Sequence, residues 1–98
     1  MLFRSKAVLI EVSAPWCPTC RAQKAVFQEL GKTAKYKAIT KIEVDFDSQK
    51  DALKALNAKQ QSTLIVFKGE REVGRLVGDA RKEAIEALLD KEIGRAHV

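Results

Sequence analysis

Residues 13–20 read SAPWCPTC: Cys17 and Cys20 straddle Pro18-Thr19 directly behind Trp16. The spacing of the two cysteines suits a metal site, a structural disulfide or a redox centre, so the flanking sequence must discriminate. On the N-terminal side, Ala7–Ser13 (AVLIEVS) is a short β-branched apolar run that reads as a strand buried on both faces, and Ala14-Pro15 breaks it. On the C-terminal side, Val26, Phe27 and Leu30 recur at helical spacing over 18–30, with Gly31 predicted as a left-handed stop. Cys17 is therefore predicted at a helix N-terminus.

Further along, Ala38–Phe46 (AITKIEVDF) alternates Ile42, Val44 and Phe46 against Lys41, Glu43 and Asp45, as a strand does. Asp47 or Ser48 is predicted to cap a helix running to about Ala58, with Ala52, Leu53 and Leu56 inward. Thr63–Phe67 (TLIVF) and Glu72–Val77 read as a hairpin about Lys68-Gly69-Glu70. Asp79 is predicted to cap a last helix with an Ile85, Leu88, Leu89, Ile93 stripe, ended by Gly94. The order β-α-β-α-β-β-α demands one parallel pair from the crossover and an antiparallel edge from the hairpin. The expected fold is α/β: a four-stranded mixed sheet with three helices on its two faces, one domain over residues 1–98.

Composition narrows the class. With 46% hydrophobic and 32% charged residues the 98-residue chain can bury a core and is not a disordered segment. The apolar stretch Ala7–Ile10 is too short for a signal peptide core or a membrane span, so a cytoplasmic, membrane-free protein is expected. The net charge of +5 comes from basic residues scattered among acidic ones, with no run and no interleaved aromatic platform, which argues against nucleic acid.

Metal binding lacks ligands: a structural zinc wants four, whereas Cys17, Cys20 and the lone His97 make three. Only a site shared between two chains, zinc or iron–sulfur, meets the number. A purely structural disulfide closing so short a loop removes little unfolded-state entropy. Redox chemistry fits better, because unpaired N–H groups at a helix start stabilise a thiolate at Cys17. Cys20, one turn further in, is expected to be the more shielded thiol, giving an exposed attacker and a buried resolver.

The W-C-x-x-C motif at Trp16–Cys20, after a strand and opening a helix, resembles the thioredoxin family, and the resemblance covers nearly the whole chain. Glu11, six residues before Cys17, matches the family's buried acid, and Lys41 matches the lysine beside it. Residues 62–78 (STLIVFKGEREVGRLVG) resemble the family's final hairpin and its glycine, here Gly78. Three departures stand out. A minimal core without the family's first strand and helix is expected, Pro18-Thr19 replaces Gly-Pro, and Ser62-Thr63 replaces the Pro-Thr that carries the family's cis-proline.

The resemblance implies a thiol–disulfide oxidoreductase that reduces protein disulfides: Cys17 attacks, a mixed disulfide forms and Cys20 resolves it. Thiol oxidase or isomerase activity and a metal-bridged dimer are the alternatives. Glu11 reads either as the proton acceptor for Cys20 or as a carboxylate paired with Lys41. Trp16, Pro18, Thr19, Gln61, Ser62 and Thr63 are the candidate substrate contacts. No cofactor is called for. With no Gly-rich dinucleotide fingerprint, electrons must come from a partner reductase or glutathione. A monomer is expected. The Gln61–Ser62 bond is expected trans, since cis before a residue other than proline costs roughly 2.5–4 kcal/mol. The Ser62 hydroxyl is expected to face a sulfur or a substrate backbone group.

Overall fold

The computed structural model describes residues 7–33, 36, 39–69 and 71–95, with side-chain surroundings to residue 90. His97, Glu70, Ala38 and the Ile93 side chain, which figured in the expectations above, lie outside what is described. The elements are β1 (Ala7–Ser13), α1 (Pro18–Leu30), β2 (Thr40–Asp45), α2 (Lys50–Leu56), β3 (Thr63–Lys68), β4 (Arg71–Val77) and α3 (Lys82–Arg95). The strands form one mixed sheet in the order β2-β1-β3-β4. β1 pairs parallel with β2 and antiparallel with β3, and β3 pairs antiparallel with β4. The α/β architecture is the expected one.

β1 is central, and its continuous apolar run follows from cover on both faces. On one face Leu9 packs with Phe27, Leu30, Leu64, Val66, Ile85 and Leu89 under α1 and α3. On the other Val12 packs with Val44, Leu53 and Ala58 under α2. Each such aliphatic side chain contributes about 1.5–3 kcal/mol when fully removed from water. Edge position changes β2: of its alternating apolar residues Val44 is buried, but Ile42 stays 46% exposed.

Several helix ends depart from the expected caps. Gly31 has φ −66°, not a left-handed value, and the last turn of α1 instead continues into Thr33, whose amide and hydroxyl both reach the Leu30 carbonyl. α2 starts at Lys50, because Ser48 and Gln49 bond Asp45 and close a turn before the helix. It ends at left-handed Asn57 (φ 54°), with the Arg75 guanidinium donating to the Leu56 and Asn57 carbonyls. Asp79 accepts from the Arg81 amide and shapes the turn ahead of α3 without capping it, and α3 runs through Gly94 to Arg95.

Candidate active site

The site forms where β1 ends, α1 begins and the loop before β3 passes alongside. Cys17 is the N-cap of α1, in extended conformation (φ −94°, ψ 110°), and Pro18 takes the first helical position, where a missing N–H leaves nothing unpaired. The Cys17 sulfur accepts the Cys20 N–H at 3.1 Å, so the thiol does the work a serine or aspartate side chain does at other helix starts. The expected contrast in exposure is absent: both thiols are free, and each is 1% exposed. Both cysteines pack with Ala14 against Phe46.

The two cysteines differ in hydrogen bonding. Cys17 accepts; Cys20 donates its thiol to the Val12 carbonyl at a long 3.8 Å. Burial, reinforced by the Cys17 sulfur, pushes the Cys20 thiol up to about 11, against opposing backbone hydrogen bonds from Ala14 and Ser62.

Glu11 is 1% exposed, and its Oε2 has no hydrogen-bond partner among the described residues. Burial raises its pKa, and Lys24 is the strongest opposing charge, ahead of Lys41. Lys41 does line the pocket of roughly 200 Å³ beside Glu11, but its ammonium lies over the Phe27 ring. The residues that complete this corner went unread in the sequence: Lys24, one helical turn past Cys20, and Glu43, paired in register with Glu11. Lys24 Nζ donates to Glu43 at 2.6 Å and the Ser13 hydroxyl donates to the same oxygen, which holds Glu43 below the usual carboxylate range. This ion pair borders the Glu11 pocket on one side. On the other it borders an open polar pocket of roughly 550 Å³ that reaches Cys20.

Trp16 is 53% exposed beside the thiols, held by its Nε1–H to Asp47 at 2.8 Å and by an edge contact with Phe46. Pro18 is exposed, Thr19 half-buried and Gln61 half-buried. Thr63 turns inward at 1% exposure and donates to the Gln60 carbonyl, so it braces the loop and offers no surface to a substrate. The Gln61–Ser62 bond is trans, as expected, and Ser62 takes a left-handed φ of 56°. Its hydroxyl does not face a sulfur; it donates to the Gln61 carbonyl at 2.6 Å. Gln23, buried among apolar neighbours on α1, was also missed, although an amide on the buried stripe of a helix is a signal the sequence carries.

Two thiols at a helix start, a buried acid on the strand before them and a loop beside them coincide with the comparisons to known proteins. The family model described as Thioredoxin matches residues 2–91. The chain belongs to the thioredoxin family. It is 36% identical over 87 residues to a thioredoxin H-type of Brassica campestris, covering 89% of this chain and 68% of that relative. It is 34% identical to a thioredoxin of Sus scrofa, covering 90% and 81%. Among solved structures, Trxlp of Edwardsiella tarda superposes with a TM-score of 0.84 at 33% identity, covering 89% of this chain and 84% of that one. Membership makes the chain a thiol–disulfide oxidoreductase in the general sense, with Cys17 and Cys20 as the redox-active pair. No helix among the described residues is long and apolar enough to cross a membrane.

Proposed function

We propose that this thioredoxin-family chain reduces protein disulfides in the cytoplasm and is recharged by a partner reductase or by glutathione. The observation that carries the proposal is the Cys20 N–H donating to the Cys17 sulfur at 3.1 Å, which fixes the attacking sulfur at the N-cap of α1 with the resolving cysteine one turn away. Cys17 attacks one sulfur of the substrate disulfide and expels the other as a thiolate, leaving a mixed disulfide. Cys20 then loses its proton and attacks the Cys17 sulfur. The Cys17–substrate bond breaks, the second substrate sulfur leaves as a thiolate, and a Cys17–Cys20 disulfide remains.

The proton from Cys20 enters the polar pocket it shares with Lys24 and Glu43 and ends on Glu11, whose pKa is raised by burial. Lys24 and Glu43 border both pockets and so lie along that route. Lys41 tunes Glu11 from the pocket rim. Trp16, Pro18, Thr19 and Gln61 form the substrate-facing rim, while Ser62 and Thr63 set the loop from beneath.

Cys20→Ser is expected to trap substrates as mixed disulfides on Cys17, visible as adducts that disappear on reduction, and Cys17→Ser is expected to trap none. Trapping by Cys17→Ser alone would reverse the two roles. The reduction potential of the pair tests the direction: a strongly oxidising value would favour thiol oxidation or isomerisation instead.

A further inference from the structure

The Val12 carbonyl accepts two donors: the Ser62 amide at 2.8 Å and, at 3.8 Å, the Cys20 thiol. The resolving sulfur and the Ser62 N–H thus converge on one oxygen. This N–H exists only because the position is not proline, which has no amide hydrogen. Its aim depends on the left-handed backbone of Ser62, and that conformation is held from the other side. The Ser62 carbonyl accepts from the Gly78 amide at 3.0 Å and from Gln23 Nε2 at 3.1 Å, and Gln23 Nε2 also donates to the Asp79 carbonyl at 3.0 Å. Both neighbours of that nitrogen are carbonyl oxygens, so the orientation of the amide is determined. Gln23 is wholly buried, and its Oε1 finds no partner among the described residues. A side chain that leaves one polar atom unpaired in the core carries a desolvation cost that the bonds made by its other atom must offset.

We propose that the Ser62 N–H is a backbone donor for the resolving thiolate, and that Gln23 is the positioning residue that holds it at the Val12 oxygen beside Cys20. The proposal rests on the exchange mechanism above. While Cys20 is protonated, its S–H and the Ser62 N–H share the Val12 oxygen. When the proton leaves, the sulfur changes from donor to anionic acceptor, and the Ser62 N–H is already beside it to stabilise the charge as Cys20 attacks the Cys17 sulfur. The same amide already opposes the upward push of burial on Cys20. Cys17 lies outside this arrangement, so the donor acts on the second step of the exchange.

The aromatic disulfide of bis-nitrobenzoate separates the steps. Attack by Cys17 releases one thionitrobenzoate, and resolution by Cys20 releases the second. In Gln23→Leu the second release is expected to slow by roughly tenfold, while the first changes by less than about twofold. The pH midpoint of the second release is expected to rise. Cys17, Arg21, Lys24, Glu43 and Asp45, the charged or titratable groups about Cys20, are unaltered in that variant. Should the leucine variant fail to fold, Ser62→Pro removes the same N–H and is expected to slow the second release likewise. A second release at the wild-type rate, or equal slowing of both releases, overturns the proposal. If wild type forms no Cys17–Cys20 disulfide after the first release, the exchange mechanism itself has failed, which is a separate outcome.

Discussion

Two segments face the same pair of thiols and are built in opposite ways. The turn from Ala14 to Cys20 is held by its own neighbours: the Cys17 amide bonds the Ala14 carbonyl, the Cys20 amide bonds the Cys17 sulfur, and Pro18 presets the helix. The loop from Gln60 to Thr63 is held largely from far along the chain, by Val12 on β1, Gln23 on α1 and Gly78 after β4. The attacking cysteine sits on the locally determined segment, while the resolving cysteine faces the loop that depends on the whole fold. The first half of the exchange should therefore tolerate perturbation of the sheet better than the second.

The harshest way to probe this contrast is through the sheet itself. Leu64 is fully buried one residue beyond Thr63, and Leu64→Ala is expected to lower unfolding stability by about 2–5 kcal/mol in urea denaturation. Native-state hydrogen exchange should then show the Ser62 amide losing more protection than the Cys20 amide. Equal losses would mean that the two segments open as one unit and would remove the distinction.

Glu11 tests the part of the site between the two segments. Burial raises its pKa, so the protonated form is the one the folded state favours. Its effect on stability is least adverse below the ordinary carboxylate range and becomes a penalty as pH rises through the raised folded value. Glu11→Gln is therefore expected to match wild type around pH 4 and to be the more stable protein around pH 8. The same variant should slow the second release of the disulfide assay more than the first. A stability gap that does not grow with pH would remove the buried carboxylate from the account.

The same contrast explains what the sequence disclosed. The strand before Trp16, the helix after Cys17, the element order and the mixed character of the sheet were legible because hydrophobic period, a helix-opening proline and short connections are local features. So was the trans bond before Ser62, which follows from the absence of a proline ring. The equal burial of Cys17 and Cys20 was not legible, because it involves Phe46, far along the chain, packing against the pair. Nor were Glu43 and Lys24, because their partnership needs the β1–β2 register and the placement of α1 over it. Gln23 stood in plain view as an amide on an apolar face, yet its partners at Ser62 and Asp79 are 39 and 56 residues away.

The smallest expected effect examines the loop alone. Ser62 holds φ 56° without being glycine, a conformation in which a Cβ costs roughly 1–2 kcal/mol. Ser62→Gly removes that strain, but it gives up the hydroxyl bond to the Gln61 carbonyl, worth about 1 kcal/mol, and adds backbone freedom to the unfolded chain at a cost of about 0.5–1 kcal/mol. These terms nearly cancel, so the glycine variant is expected within about 1 kcal/mol of wild type. Ser62→Ala gives up the same hydroxyl bond while keeping the strain. Alanine should therefore be the less stable of the two, by about 0.5–1 kcal/mol, which reverses the usual ranking of these residues. Chemical denaturation of the pair reads that order directly. An alanine variant more stable than the glycine variant would mean that Ser62 leaves the left-handed region in solution, and its N–H would then no longer be held against Val12 beside Cys20.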